Sequence, residues 1–183
     1  YDAVYYNRQH NLQQIVDAIR NGSAADLIHQ SIQQKRTKRT AKVRIHESGD
    51  FFSGAYLDAW IEVAHRNPDL KFYCYSKSLQ LFQGFNLPAN FYLTASYGGK
   101  FDYMIDEGYF PRYSKVVMND EDAANLGLEV DHDDSHCFGE KPFALLVHGT
   151  QPKGSLWGAA IRIRGAANKF GGYNKKNRQT VTV

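Results

Sequence analysis

His46, Glu47, Ser48 and Asp50 crowd together where the strand-like Val43–His46 ends and before the patterned helical stretch from Gly54. Imidazole and carboxylate groups can move protons or hold a metal, and a histidine titrates near neutral pH. Other strand-like runs end in the same way. Lys71–Ser76 leads into Lys77, Asn90–Ser96 into Tyr97 and Lys100, and Phe143–Val147 into His148, Gly149 and Thr150. When strands are parallel their carboxyl ends share a rim, and α/β folds bind ligands there. His46, Asp50, Lys77 and His148 are therefore expected to line one pocket. His46, Asp50 and His148 are the catalytic candidates, the histidines exchanging protons and Asp50 orienting one of them. Glu47, Ser48, Lys77, Ser96 and Tyr97 are the ligand-binding candidates, with Lys77 holding an anion. The plainer alternative is that Asp50 caps the next helix, the histidines make separate structural hydrogen bonds and Lys77 is solvated.

A second constellation is Asp131-His-Asp-Asp-Ser-His-Cys137, where six of seven residues are metal-ligand types. Zinc held by His132 or His136 and Cys137, with His46 or His148 as the ligand from elsewhere, is one expectation. A solvated acidic loop with Cys137 entering the core is the other. The spacing is not that of Cys-x-x-Cys, His-Glu-x-x-His or the calcium loop. Lys153-Gly154-Ser155 lacks the glycine spacing of a phosphate loop. Tyr97-Gly-Gly-Lys100 has the Tyr-x-x-Lys pattern of rolling-circle nucleases without their paired His-x-His.

The elements that must position these groups alternate. Leu12, Ile15, Val16 and Ile19 share a helical face that ends at Asn21-Gly22. Ser23 and Asp26 resemble a capping box opening a second helix. Leu57, Trp60, Ile61 and Ala64 form the apolar stripe of a third, ended by Asn67-Pro68 because a residue before proline avoids the helical region. Strands are expected near 43–46, 71–76, 91–96, 115–118 and 143–147. Helices are expected from Asp120, with its acidic first turn, and from Pro152 or Ser155 to about Arg164. This predicts an α/β fold, a mostly parallel sheet or partial (βα) barrel with N-terminal helices. Residues 1–165 are expected as a single domain, and 166–183 as a loosely held basic tail.

Composition bounds the partners. The chain has 183 residues, 43% hydrophobic and 22% charged, enough for one domain with a core. A net charge of +3 does not demand nucleic acid, and two cysteines cannot form a disulfide framework, which points to a reducing cytoplasm. No apolar run reaches the length of a membrane span. The sequence opens at Tyr1 rather than Met, so residues upstream are expected.

Arg44–Ser53, Tyr56–Ala64, Phe72–Lys77 and Lys141–Thr150 together resemble the gene-product-88-like proteins of tailed phages, over roughly residues 42 to 150. That resemblance implies a phage protein in the cytoplasm of an infected host cell. Longer members are similar to radical-SAM-type barrels with a cysteine-rich segment near the N-terminus. It implies an iron–sulfur cluster and S-adenosylmethionine only if cysteines lie upstream of Tyr1, since such clusters use three thiolates. Two function classes follow. One is an enzyme, or the remnant of one, with a small-molecule or nucleotide site at the strand carboxyl ends. The other is a nucleic-acid-binding accessory protein of phage replication. Its phosphate contacts would be Lys35, Arg36, Lys38 and Arg39, with Arg162, Arg164 and the basic residues of the tail.

Overall fold

Asn21-Gly22 does break the first helical run, giving α1 (Asp2–Arg20) and α2 (Ala24–Lys35). Gly22 takes a φ of +76°, a conformation that side chains resist. The computed structural model describes residues 2–149, 151–166 and 180–182. On α1 the expected apolar face is only partly covered: Ile15, Val16 and Ile19 are half-buried and Leu12 is exposed. The expected Ser23–Asp26 capping box does not form. Asn21 Oδ1 instead accepts from Ser23 N and Oγ, at 3.2 and 2.5 Å. Asp26 pairs with Arg66 at 2.6 Å, a competing partner that draws its carboxylate away from the helix start.

The third helix, α3 (Gly54–Arg66), shows why its sequence folds locally. Ser53 is extended and its Oγ accepts Tyr56 N at 3.2 Å, so Ser53 is the cap and Asp50 is not. Tyr56, Leu57, Ala59, Trp60, Val63 and Ala64 are buried. Ile61, expected in the stripe, is half-buried, because positions 56, 60 and 63 centre the face one residue earlier. Trp60 is 1% exposed and edge-on to Phe72 at 6.4 Å. One side chain meets a carbonyl of the last helical turn and two of the segment that follows it. Asn90 Nδ2 donates to Ala64 O, Asn67 O and Leu70 O at 3.0, 3.1 and 2.9 Å.

The strands are β1 (Lys42–Ile45), β2 (Lys71–Ser76), β3 (Phe91–Ser96), β4 (Tyr113–Val117), β5 (Glu129–Val130), β6 (Phe143–Leu146) and β7 (Thr180–Thr182). Their order is β5-β6-β4-β3-β2-β1-β7. The β1–β7, β3–β4, β4–β6 and β5–β6 ladders are all parallel. The α/β class with a parallel sheet and N-terminal helices is thus the observed one, in an open order rather than a closed barrel. Two strands had no sequence signal. β5 has two residues, and β7 lies within the stretch read as tail. Thr150 and the remaining tail beyond Ala166 lie outside the described residues.

Two compact units divide the chain: 1–72, 81–91 and 179–183 make the first, 73–80 and 92–178 the second. In the first, Ile28, Ile32, Val43, Ile45, Leu57 and Trp60 are almost fully buried. Among its described residues the second holds three apolar clusters. Leu79, Ala95, Met104 and Ile105 form one, the last two on the short α4 (Tyr103–Asp106). Val117, Ala123, Ala144 and Leu146 form another, beside α5 (Asp120–Asn125). Tyr73, Cys137 and Phe143 form the third. α5 starts on a reciprocal pair, with Asn119 Oδ1 accepting Asp122 N at 2.8 Å and Asp122 Oδ2 accepting Met118 N at 3.2 Å. α6 (Leu156–Ala166) begins where Ser155 Oγ accepts Gly158 N at 3.1 Å.

Candidate functional site

In the first unit the chain leaves β1 through His46, whose φ of +67° is rare for a residue with a side chain. Its Nε2 lies 3.1 Å from Tyr56 Oη, and its ring meets Phe51 edge-on at 4.8 Å. Burial lowers the imidazole pKa to about 4, while the nearby Asp50 carboxylate pulls it upward. His46 is therefore neutral at neutral pH. Its Nδ1 is buried without a hydrogen-bond partner among the described residues. Burial also raises the Tyr56 hydroxyl above its ordinary value. Asp50 Oδ1 accepts Phe51 N at 2.7 Å, while Glu47 and Ser48 are exposed. A neutral imidazole and a carboxylate thus share one turn, with a phenol of α3 set against the imidazole.

In the second unit Lys77 is exposed and its Nζ donates to Gly98 O at 3.4 Å. Gly99 lies flat on the lysine stem: a Cβ there would come within 2.9 Å of Lys77 Cβ. Gly98 N and Gly99 N donate to the Asp102 carboxylate at 3.0 and 2.9 Å, so an internal carboxylate fills the anion cradle that two adjacent amides make. Tyr97 Oη donates to Asp106, and that bond pushes the phenol up to about 12. Lys115 Nζ stands over the Tyr97 ring at 4.9 Å, and Ser96 is half-buried at the end of β3.

His148 follows β6, is exposed, and donates from Nδ1 to Leu146 O at 3.0 Å. That bond selects the tautomer whose Nε2 keeps its lone pair. Arg164 was expected among solvated phosphate contacts; instead it is 8% exposed. Its guanidinium donates to Met118 O at 3.0 Å and to Val147 O, because carbonyls left at the ends of β4 and β6 need donors. Of the sequence candidates, His46 and Asp50 belong to the first unit, and Lys77 and His148 to the second.

The Asp131–Cys137 segment folds into a 3-10 turn (Ser135–Phe138) in the second unit. It brings one ligand atom each from Asp131, Asp134 and Cys137 within 4.8 Å of one another, all three residues being buried. Asp134, at a φ of +64°, accepts Tyr73 Oη at 2.9 Å and Tyr75 Oη at 2.7 Å. His136 bridges outward, with Nε2 3.3 Å from Glu129 and Nδ1 3.2 Å from Asp131 Oδ1. His132 is exposed and outside the group. Burial pushes the Cys137 thiol up to about 12, while the Tyr75 and Thr94 hydroxyls pull the other way. Tyr73, Thr94 and Arg112 had not been singled out as site residues. The period-two alternation of β2, which puts Tyr73 and Tyr75 on one face, was the available signal.

In the basic connector Lys35, Lys38 and Arg39 are exposed, whereas Arg36 is half-buried and pairs with Asp69 at 2.6 Å. No helix among the described residues is long and apolar enough to cross a membrane.

A family model described as Gene product 88 matches residues 1–170. The Gene 88 protein of Mycobacterium phage L5 is 45% identical over 42 residues, which are 23% of this chain and 18% of that protein. The match therefore spans less than a fifth of that relative's length. No solved structure matches the chain. With the family model covering nearly the whole sequence and a parallel α/β sheet beneath it, this chain belongs to the gene product 88 family of phage proteins.

Proposed function

We propose that this protein is an enzyme, or a ligand-binding descendant of one, that takes a small anionic molecule or nucleotide at the carboxyl ends of its strands. The observation that carries this reading is His148. An exposed histidine two residues after the end of β6, with Nδ1–H fixed on the Leu146 carbonyl, holds its ring in a defined direction at the strand's carboxyl end. When Nε2 takes a proton from the ligand, the Nδ1–H···O bond strengthens and stabilises the imidazolium. Lys77, at the end of β2, supplies positive charge for an anionic group, and Ser96 and Tyr97 add hydroxyls at the end of β3. His46 and Asp50, with Glu47 and Ser48, are the corresponding polar set after β1. The host cytoplasm is the proposed place of action.

The parallel strand order supports a likeness of scaffold to radical-SAM-type barrels. Cys74 and Cys137 are both buried, and two thiolates are fewer than the three that such a cluster uses, so a cluster would need cysteines upstream of Tyr1.

Titration calorimetry against a panel of nucleoside mono- and triphosphates tests the proposal. Lys77→Ala and His148→Ala should each abolish the binding heat with circular dichroism unchanged. No heat from any nucleotide, or equal heat from wild type and both variants, overturns it. A second reading, nucleic-acid binding, draws on the exposure of Lys35, Lys38 and Arg39. It requires DNA affinity that falls steeply with salt and drops in a Lys35→Ala/Lys38→Ala/Arg39→Ala variant.

A further inference from the structure

We propose that Asp131, Asp134 and Cys137 bind a structural zinc ion, with His136 as the fourth donor. The ligand atoms of the first three already lie within 4.8 Å of one another in a buried setting, at sequence intervals of three. Asp134 caps the 3-10 turn from outside it, and Cys137 lies within the turn three residues on.

The atoms left without partners point to a ligand independently of that spacing. The Asp131 side chain is only 1% exposed, yet its Oδ2 has no hydrogen-bond partner among the described residues. His136 Nδ1 is likewise buried and makes no hydrogen bond, although it lies at ion-pair distance, 3.2 Å, from Asp131 Oδ1. A buried carboxylate oxygen left unpaired is costly, and a cation answers that cost. Arg112, the neighbouring cation, does not: it donates to Leu93 O and to Gly139 O.

The chemistry of the donors selects the metal. One thiolate, one imidazole and two carboxylates suit zinc, whereas calcium and magnesium take oxygen ligands throughout. Tyr73 and Tyr75 would hold Asp134 by its carboxylate oxygens, as hydrogen-bonding neighbours orient metal ligands elsewhere. The site lies against Tyr73 and Tyr75 of β2 and shares no residue with the set at His148 and Lys77, so it stands or falls apart from the reading of the strand ends.

The full chain, expressed with zinc and purified without chelator, is expected to carry one zinc per chain by elemental analysis. Exchange into cobalt should give an intense thiolate-to-cobalt absorption that Cys74→Ser retains and Cys137→Ser loses. Tyr75→Phe should weaken zinc affinity by roughly 10–100-fold while the cobalt band persists. Should Cys137→Ser fail to fold, the band in wild type and in Cys74→Ser still decides. Metal-free protein that gains no cobalt band on titration, or a band lost in Cys74→Ser and kept in Cys137→Ser, overturns the proposal.

Discussion

Tyr75 Oη donates to Asp134 Oδ1 at 2.7 Å across 59 positions of sequence, and Tyr73 donates to the other oxygen of the same carboxylate at 2.9 Å. Two phenols from one strand thus hold a buried aspartate in a left-handed turn. Hydrogen bonds to a charged group contribute about 1.5–3 kcal/mol. Tyr73→Phe and Tyr75→Phe should each destabilise the protein by that order in urea denaturation. Because both act on one carboxylate, the double variant should depart from the sum of the two.

His46 predicts a pH dependence. Its folded pKa, about 4, lies below the ordinary 6.5 because burial penalises the charged ring. Above pH 6.5 neither folded nor unfolded chain protonates it, and the full stability is present. As pH falls below 6.5 the unfolded chain takes up the proton first, so stability declines until the folded ring titrates near 4. The loss should reach about 3 kcal/mol. Urea midpoints at pH 7 and 4.5, with an NMR titration of the His46 ring, check this. A His46→Gln variant should show a flatter profile, and Asp50→Asn should lower the ring's pKa further.

Trp60 is buried between Tyr56 and Phe72. Trp60→Ala removes its apolar surface and leaves a void, at a cost of about 3–5 kcal/mol. Thermal unfolding should show a lowered midpoint, whereas Phe52→Ala, at a residue 47% exposed, should shift it far less.

Arg164→Ala should cost about 2–3 kcal/mol, since the carbonyls of Met118 and Val147 lose a charged donor in a buried place. Arg164→Lys should recover only part of this, because an ammonium lacks the planar fork that reaches two carbonyls at once. Equilibrium denaturation of the three proteins decides it, and a tolerant Arg164→Ala would mean that solvent replaces the guanidinium.

The sequence was legible where period and chemistry agreed. α3 declared itself through Leu57, Trp60 and Ala64, and the strands ending at Ser76, Ser96 and Leu146 through their apolar and aromatic runs. The placement of His46 and His148 directly after strands was readable for the same reason. What was not legible depended on partners distant in sequence. Asp26 had the spacing of a capping residue, but Arg66 lies 40 positions on. Arg164 looked like solvated charge until β4 and β6 presented their carbonyls. The Asp131–Cys137 run advertised ligand types, yet which of them converge depends on the left-handed turn at Asp134, a conformation that the sequence spacing does not specify.

The amide of Asn90 sets a limit on chemical ageing. A single nitrogen serves three carbonyls between the last turn of α3 and the start of β2, so the position reads the polarity of one atom rather than the shape of a side chain. Deamidation to aspartate would leave the outline almost untouched while turning the donor into an anion facing three acceptors and the negative end of a helix. Such a lesion, invisible to packing, would strike where the helix hands the chain to the sheet.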